Sequence, residues 1–263
     1  MIIRKPKGRV ANKRKYESLL DLPDDLWENI LMRLAAIERL TIAQQVCTTW
    51  RRVLKEPTMW HVIDMSNVRG LPDSKVVQHV CREGVDRSQG ELVDIRIDFF
   101  ATKELLVYVA NRSPKLKRLC IAWCKEKMAP EDLVGVVKKL PLLEELSLTN
   151  TDITPKGIED LGLSCPRLKS FELNNICCSV KPGNQRNVEA LAISKRLPAL
   201  SHLHLIRNSM TNVGLEAILD GCPNLESLDI RGCFNVSLDK ILSSRISKQI
   251  KDVKYPRDSL AGL

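Results

Sequence analysis

Long apolar runs are missing from this sequence. No segment approaches the roughly 20 residues that a bilayer-spanning helix requires. The opening ten residues, MIIRKPKGRV, carry charge but no apolar stretch behind it, so they do not read as a secretion signal. The chain is therefore expected to be soluble and intracellular, in the nucleus, the cytoplasm or both, with no membrane partner. Histidine is scarce, with four in 263 residues, and aromatic residues make up 4%. The nine cysteines form no Cys-x-x-Cys pair, and their number is odd. That is not the spacing of a disulfide scaffold, and metal binding or redox sensing by a close cysteine pair is the lesser alternative. The nearest pairs, Cys120 with Cys124 and Cys177 with Cys178, read as thiols acting as small hydrophobes. There is no phosphate-binding glycine loop, zinc-protease helix motif or nucleophile elbow. Acidic neighbours such as Glu144 and Glu145 sit on one strand and face opposite ways, so they cannot share acid–base work. Cys120 has no base at a position the sequence can specify. The reading is of a protein that is not an enzyme and needs no cofactor or metal.

Charge is present but unevenly placed. Of a net +9, seven positive charges (Arg4, Lys5, Lys7, Arg9, Lys13, Arg14 and Lys15) come before the first acid, Glu17. Residues 1–17 read as a basic, disordered leader: an import signal, a loose nucleic-acid contact or a solvated tail. The remainder is close to neutral. It shows no basic stripe of the kind that grips a phosphate backbone.

What the sequence has in quantity is repetition. The frame L-x-x-L-x-L-x-x-(N/C/apolar) is filled by Leu92, Ile95, Ile97 and Phe100, then by Leu116, Leu119, Ile121 and Cys124. It recurs at Leu143, Leu146, Leu148 and Thr151, and at Leu168, Phe171, Leu173 and Ile176. The last full copies are Leu200, Leu203, Leu205 and Asn208, then Leu225, Leu228, Ile230 and Cys233. Weaker copies flank the series at Trp60, Ile63, Met65 and Val68, and at Ile250, Val253 and Tyr255. Between frames the apolar spacing turns helical in KELLVYVANR, PEDLVGVVKKL, PKGIEDLGLS, NVEALAISKRL and NVGLEAILDG. A proline at 114, 141, 166, 198 or 223 then ends each helix. Each unit is thus a strand followed by a helix, and stacked units share one core. The fold class is α/β: parallel strands on the concave face, helices outside, right-handed crossovers. Two longer gaps, REGVDRSQGE (82–91) and CCSVKPGNQRN (177–187), read as inserted loops. The pattern resembles the leucine-rich-repeat family, and its cysteine-containing subtype in particular. Cys165-Pro166 and Cys222-Pro223 open strands, and Cys124 and Cys233 close them.

Residues 18–60 depart from the frame. Pro23, Asp24 and Asp25 suit a helix start. Leu26, Ile30 and Leu34 follow at intervals of four, beside Trp27 and Leu31. A second series, Leu40, Ala43, Val46, Cys47, Trp50, Val53 and Leu54, ends before Pro57. So small a helical unit must dock on something. Leu22-Pro23, the leucine series, Val46-Cys47 with Trp50-Arg51, and the later Trp60 together resemble an F-box. The match departs at Ala35-Ala36-Ile37, where that family often has a proline-containing turn. The resemblance implies a short all-helical F-box that binds a Skp-type adaptor and, through it, a cullin. Leu22, Pro23, Leu26, Ile30, Leu34, Val46 and Trp50 then divide between adaptor contact and the head's own core. Leu22 and Pro23 are read as contacts, Val46 as core, and Trp50 as either.

An F-box followed by a repeat solenoid resembles the F-box/leucine-rich-repeat class, plant members above all. The organisation is a leader (1–17), an F-box (18–60), a solenoid (61–255) and a C-terminal tail (256–263). The implied function is substrate recognition within an SCF-type ubiquitin ligase, leading a target protein to ubiquitination and proteasomal degradation. The target itself is not legible. The alternative is a nuclear scaffold or nucleic-acid-associated protein working through the basic leader. A small-molecule co-receptor fits less well, for want of a concentrated basic pocket. Residues between the frame positions alternate onto the concave face. From these and their neighbours, Arg96, Phe99, Arg118, Trp123, Glu145, Glu172, His202, His204 and Asp229 are the expected target contacts. Phe99 and Trp123 share one frame position on adjacent rungs, as an aromatic anchor or as packing for their own loops. His202 and His204 leave one strand together, but no third ligand accompanies them.

Overall fold

The computed structural model describes residues 22–68, 74–124, 128–175 and 182–261. The basic leader and the Cys177–Cys178 pair lie outside them. Eight short strands, β1 (Val62–Met65), β2 (Asp94–Asp98), β3 (Arg118–Ala122), β4 (Glu145–Thr149), β5 (Ser170–Asn174), β6 (His202–His204), β7 (Ser227–Asp229) and β8 (Asp252–Lys254), form one sheet in chain order. Every neighbouring pair is parallel. Parallel neighbours need a crossover. Here the crossovers are α4 (Ser74–Arg87), α5 (Lys103–Arg112), α6 (Pro130–Val137), α7 (Pro155–Ser164), α8 (Val188–Arg196), α9 (Asn212–Gly221) and α10 (Lys240–Gln249). The helices pack on one another in the same order, as a second layer.

The frame residues make the core between the layers. Leu92, Ile95, Ile97, Leu116, Leu119, Leu143, Leu148, Phe171, Leu200, Leu203 and Ile230 are all fully buried. Helix starts are capped where the sequence offers a short polar side chain. Thr102 Oγ1 accepts from Leu105 N, Thr154 Oγ1 from Gly157 N, and Asp239 Oδ1 from Leu242 N. Pro130 and Pro155 occupy first helical positions, where a missing N–H removes no helical bond. The opening cysteines have a defined task. Cys165 Sγ faces the carbonyl of Val137 at 3.8 Å, and Cys222 Sγ that of Leu197 at 3.5 Å. Each weak S–H donor thus meets a carbonyl near the end of the preceding repeat's helix.

One expected loop is helical. Residues 82–87 belong to α4, which buries Val77, Val80, Cys81, Gly84 and Val85 at helical spacing. Only the end of that segment turns, through Gln89 and Gly90 at positive φ. The other expected loop is described from residue 182 onward and contains a short 3-10 turn at Gly183–Gln185.

The head consists of α1 (Asp24–Leu31), α2 (Ala36–Thr41) and α3 (Thr48–Val53), with short 3-10 turns at Ala43–Gln45 and Pro57–Trp60. α2 begins at Ala36 without a proline. The Glu38 carboxylate instead accepts the Ala35 N–H at 2.9 Å, which satisfies one otherwise unpaired donor. The head shares a continuous apolar core with the solenoid. The joint is Trp60, fully buried, with its indole N–H on the Leu54 carbonyl at 2.9 Å. Arg39 of α2 lies 4.8 Å over the Trp60 ring and Arg87 of α4 lies 5.6 Å from it. Arg39 is itself buried; it donates to the carbonyls of Met59 and Val62, and burial lowers its pKa. Gly84 lets α4 come close. A Cβ there would lie 3.2 Å from Ile63, 3.4 Å from Leu40 and 3.5 Å from Trp60.

Candidate functional site

Two surfaces qualify. The first is on the head. A helix that packs on one side buries an apolar stripe and keeps the rest polar, yet this head leaves five large apolar side chains in solvent. Leu26 is 40% exposed, Ile30 42%, Met32 42%, Ile42 64% and Val46 58%. Leu26 and Ile30 lie four apart on α1 and share a face. Pro23 is exposed immediately before α1, and its carbonyl accepts the N–H groups of Leu26 and Trp27. Leu22, Leu34 and Trp50 are partly buried against the core, with Trp50 edge-on to the buried Trp27 at 5.8 Å. Val46 is therefore corrected from core to surface, since more than half of it is open to solvent. Met32 and Ile42 were absent from the expected set. Ile42 lies four residues before Val46, which was the available signal.

The second surface is the open face of the sheet. Its register sets outward residues in rows across the strands. The first row runs Asp94, Arg118, Glu145, Ser170, His202 and Ser227. The second runs Arg96, Cys120, Ser147, Glu172, His204 and Asp229, and the third Asp98, Ala122, Thr149 and Asn174. Over the second and third rows lies a hollow of ≈ 660 Å³, lined among others by Arg96, Arg118, Trp123, Glu172, Asn175 and Arg207. Its apolar lining includes Ile121, Ala122, Trp123, Ile206 and, from the C-terminal segment, Leu260. That segment is tied down. Gly232 N donates to Pro256 O, and Arg231 Nη1 to Ser259 O, both at 2.8 Å.

Charges around the hollow are mostly neutralised in place. Arg96 forks onto Asp98, Nε to Oδ1 at 3.2 Å and Nη2 to Oδ2 at 3.1 Å. Arg118 lies between Asp94, at 3.8 Å, and Glu145, at 3.3 Å. Glu172 accepts from Ser147 Oγ at 2.7 Å and faces His204 Nδ1 at 3.2 Å. Burial works to raise the Glu172 pKa, but the His204 and Ser147 contacts outweigh it and the pKa is lowered. Arg207 also lines the hollow, and among the described residues its guanidinium has no ion-pair or hydrogen-bond partner. Burial pushes the Cys120 thiol up to about 11, so it is not a thiolate nucleophile at neutral pH.

The expected contacts fall into groups. Arg96, Arg118, Trp123 and Glu172 are brought together in the hollow. Phe99 stacks behind Trp123, with centroids 5.6 Å apart and planes 11° from parallel. His204 supports Glu172 from the next strand. Glu145 and His202 belong to the first row, outside the lining, and His202 Nδ1 pairs with Ser201 Oγ. Asp229 is corrected. It is 2% exposed, and Arg231 Nε and Nη2 bind its two oxygens at 3.0 and 2.7 Å. It anchors the far end of the face and leaves no carboxylate for a partner. Asn174, Asn175, Arg207 and Leu260 were not among the expected contacts. Asn174 fixes the local shape, since its Oδ1 accepts the Ile206 N–H at 3.1 Å.

Comparison with known proteins addresses both regions. A family model described as F-box domain matches residues 19–62, and one described as Leucine Rich repeat matches residues 139–162. Three Arabidopsis thaliana proteins are similar along most of the chain. Putative F-box/LRR-repeat protein 23 is 40% identical over 97% of this chain and 57% of its own length. F-box protein SKIP19 is 43% identical over 91% of this chain and 78% of its own length. Putative F-box/LRR-repeat protein 22 is 41% identical over 95% and 81% respectively. The chain thus spans little more than half of the first relative and about four fifths of the other two.

Proposed function

Since the chain belongs to the F-box/LRR-repeat family, we propose that it is the target-recognising subunit of a ubiquitin ligase of the Skp–cullin–F-box type. The observation that carries this reading is that Leu26, Ile30, Met32, Ile42 and Val46 are all left in solvent in the segment that the F-box model matches. Exposed apolar side chains gathered on one small unit mark an interaction surface. In this reading a Skp-type adaptor covers them and a cullin follows through the adaptor. The open sheet face holds the target protein. The chain supplies no chemistry of its own. Its contribution is proximity, holding target lysines near the ubiquitin carrier at high effective concentration.

The test is co-purification. The intact chain should retain a Skp-type adaptor and a cullin from plant extract. Leu26→Asp with Ile30→Asp should lose both, with an unchanged circular-dichroism spectrum and melting temperature. Retention of the adaptor by that double variant would end the proposal. Leu22→Ala with Pro23→Ala should weaken retention in the same direction, because Pro23 is exposed at the start of the same helix.

A further inference from the structure

One column of the solenoid is held in a backbone conformation that most side chains avoid. The residue just before the last frame position has positive φ on five rungs: Phe99 at 74°, Trp123 at 60°, Asn150 at 51°, Arg207 at 56° and Gly232 at 75°. All five share one kind of rung-to-rung hydrogen bond. Each of these N–H groups donates to a carbonyl of the next rung: Phe99 to Ala122, Trp123 to Thr149, Asn150 to Asn174, Arg207 to Arg231 and Gly232 to Pro256, all at 2.8 or 2.9 Å. Glycine and asparagine enter the left-handed region readily, whereas larger side chains clash there. Two of the five rungs carry Asn or Gly. The other three carry Phe, Trp and Arg, against the local preference. Trp123 and Arg207 line the hollow, and Phe99 stacks on Trp123. Strained positions gather where function requires the side chain.

The chemistry of these side chains defines what they would hold. Trp123 is backed by the Phe99 ring and lines the hollow, a flat apolar wall. Arg207 supplies a guanidinium, a fork suited to carboxylate or phosphate. Its charge is not neutralised locally, whereas Arg96 and Arg118 both are. Trp123 follows β3 and Arg207 follows β6, three rungs apart in the sheet order. At about 4.8 Å per rung they are about 14 Å apart, which an extended peptide at about 3.3 Å per residue covers in about four residues. Asn175, between them in the same column, offers an amide to the peptide main chain.

We infer that the hollow reads an extended segment of the target in which an apolar or aromatic residue is followed or preceded, about four positions away, by an acidic group. The first lies on Trp123 and the second on Arg207. The inference rests on the reading of the open sheet face as the target-binding surface. The acidic group is a carboxylate side chain, and comparison with phosphoserine at the same position tests that choice.

The test is selection of random dodecapeptides displayed on phage, against the immobilised full chain. Enrichment of an apolar residue about four positions from Asp or Glu is expected. Synthetic peptides of the selected sequence, with glutamate or phosphoserine at the acidic position, then distinguish the two sources by affinity. Arg207→Glu should weaken the acidic peptide at least tenfold and turn selection towards Lys or Arg at that position. Trp123→Asn, which keeps a residue suited to the backbone, should abolish the apolar preference alone. The inference is overturned if no motif is enriched above a blank support, or if Arg207→Glu binds the selected peptide within twofold of the parent. Its failure is separable from that of the ligase reading. Adaptor retention depends on Leu26 and Ile30, and peptide selection on Trp123 and Arg207.

Discussion

Replacing Arg207 with asparagine should make the protein more stable, although Arg207 forms its guanidinium wall. The backbone at Arg207 has a φ of 56°. A non-glycine residue in that region costs about 1–2 kcal/mol, and asparagine is among the few that visit it routinely. Asn150 already occupies the equivalent position two rungs earlier in sequence order, at a φ of 51°. Against that gain stands what the arginine contributes. Its stem lies over Gly232, since a Cβ built on that glycine would meet Arg207 Cγ at 2.6 Å. Losing a few contacts of about 0.1–0.2 kcal/mol each removes about 0.5 kcal/mol. No ion pair among the described residues is lost. The balance is a gain of about 0.5–1 kcal/mol. In a chain of this size that is a melting temperature higher by about 1–4 °C. Differential scanning calorimetry and urea midpoints on the purified full chain would measure it. A melting temperature at or below that of the parent would refute the argument that this column is held under backbone strain.

Three further predictions concern the packing, the thiols and acid. Gly221→Ala and Gly162→Ala should each destabilise by about 1–3 kcal/mol by overpacking, read as a lower urea midpoint. The new Cβ would lie 2.2 Å from the carbonyl oxygens of Ser194 and Arg196 respectively, and backbone would have to move. Iodoacetamide at neutral pH should leave Cys81, Cys120, Cys165 and Cys222 unmodified in the folded protein, by mass spectrometry, because burial raises their thiols to about 12, 11, 11 and 11. Rapid labelling of Cys120 would contradict its place beneath the hollow. Burial works to raise the Asp229 pKa, but the Arg231 bonds more than offset it, so it lies below its ordinary 3.8. A carboxylate lowered on folding stabilises in full above its unfolded pKa and ceases to do so as pH falls through the folded one. Asp229→Asn should therefore be less stable than the parent at neutral pH, and the gap should begin to narrow near pH 3.8 and shrink steadily as pH falls further; a gap that does not narrow with acid would refute the assignment.

Much of the fold was legible because a strand alternates its side chains strictly. The positions of Leu116, Leu119 and Ile121 were enough to place all three inside, and the register follows from stacking one frame on the next. The sequence misled where the outcome depends on what arrives from far away in the chain. The frame gave the direction of Asp229 correctly, but not that Arg231, Lys254 and the C-terminal segment would enclose it. Helical spacing placed Val46 on an apolar face without telling whether that face is core or docking surface. Charged residues Arg82, Glu83, Asp86 and Arg87 disguised the end of α4 as a loop, although Val77, Val80, Cys81 and Val85 kept the helical period. The joint at Arg39 had no local signature at all, since its partners lie twenty or more residues away.

That joint determines how the molecule is aimed. With Arg39 and Arg87 both against the Trp60 ring and one apolar core running through head and solenoid, head and sheet turn as one piece, like a tool on a fixed shank. The hollow opens only one rung beyond β1, at Arg96 of β2. Units appended past β8 would lengthen the tool without re-aiming it, whereas a unit inserted between β1 and β2 would swing every captured chain to a new bearing.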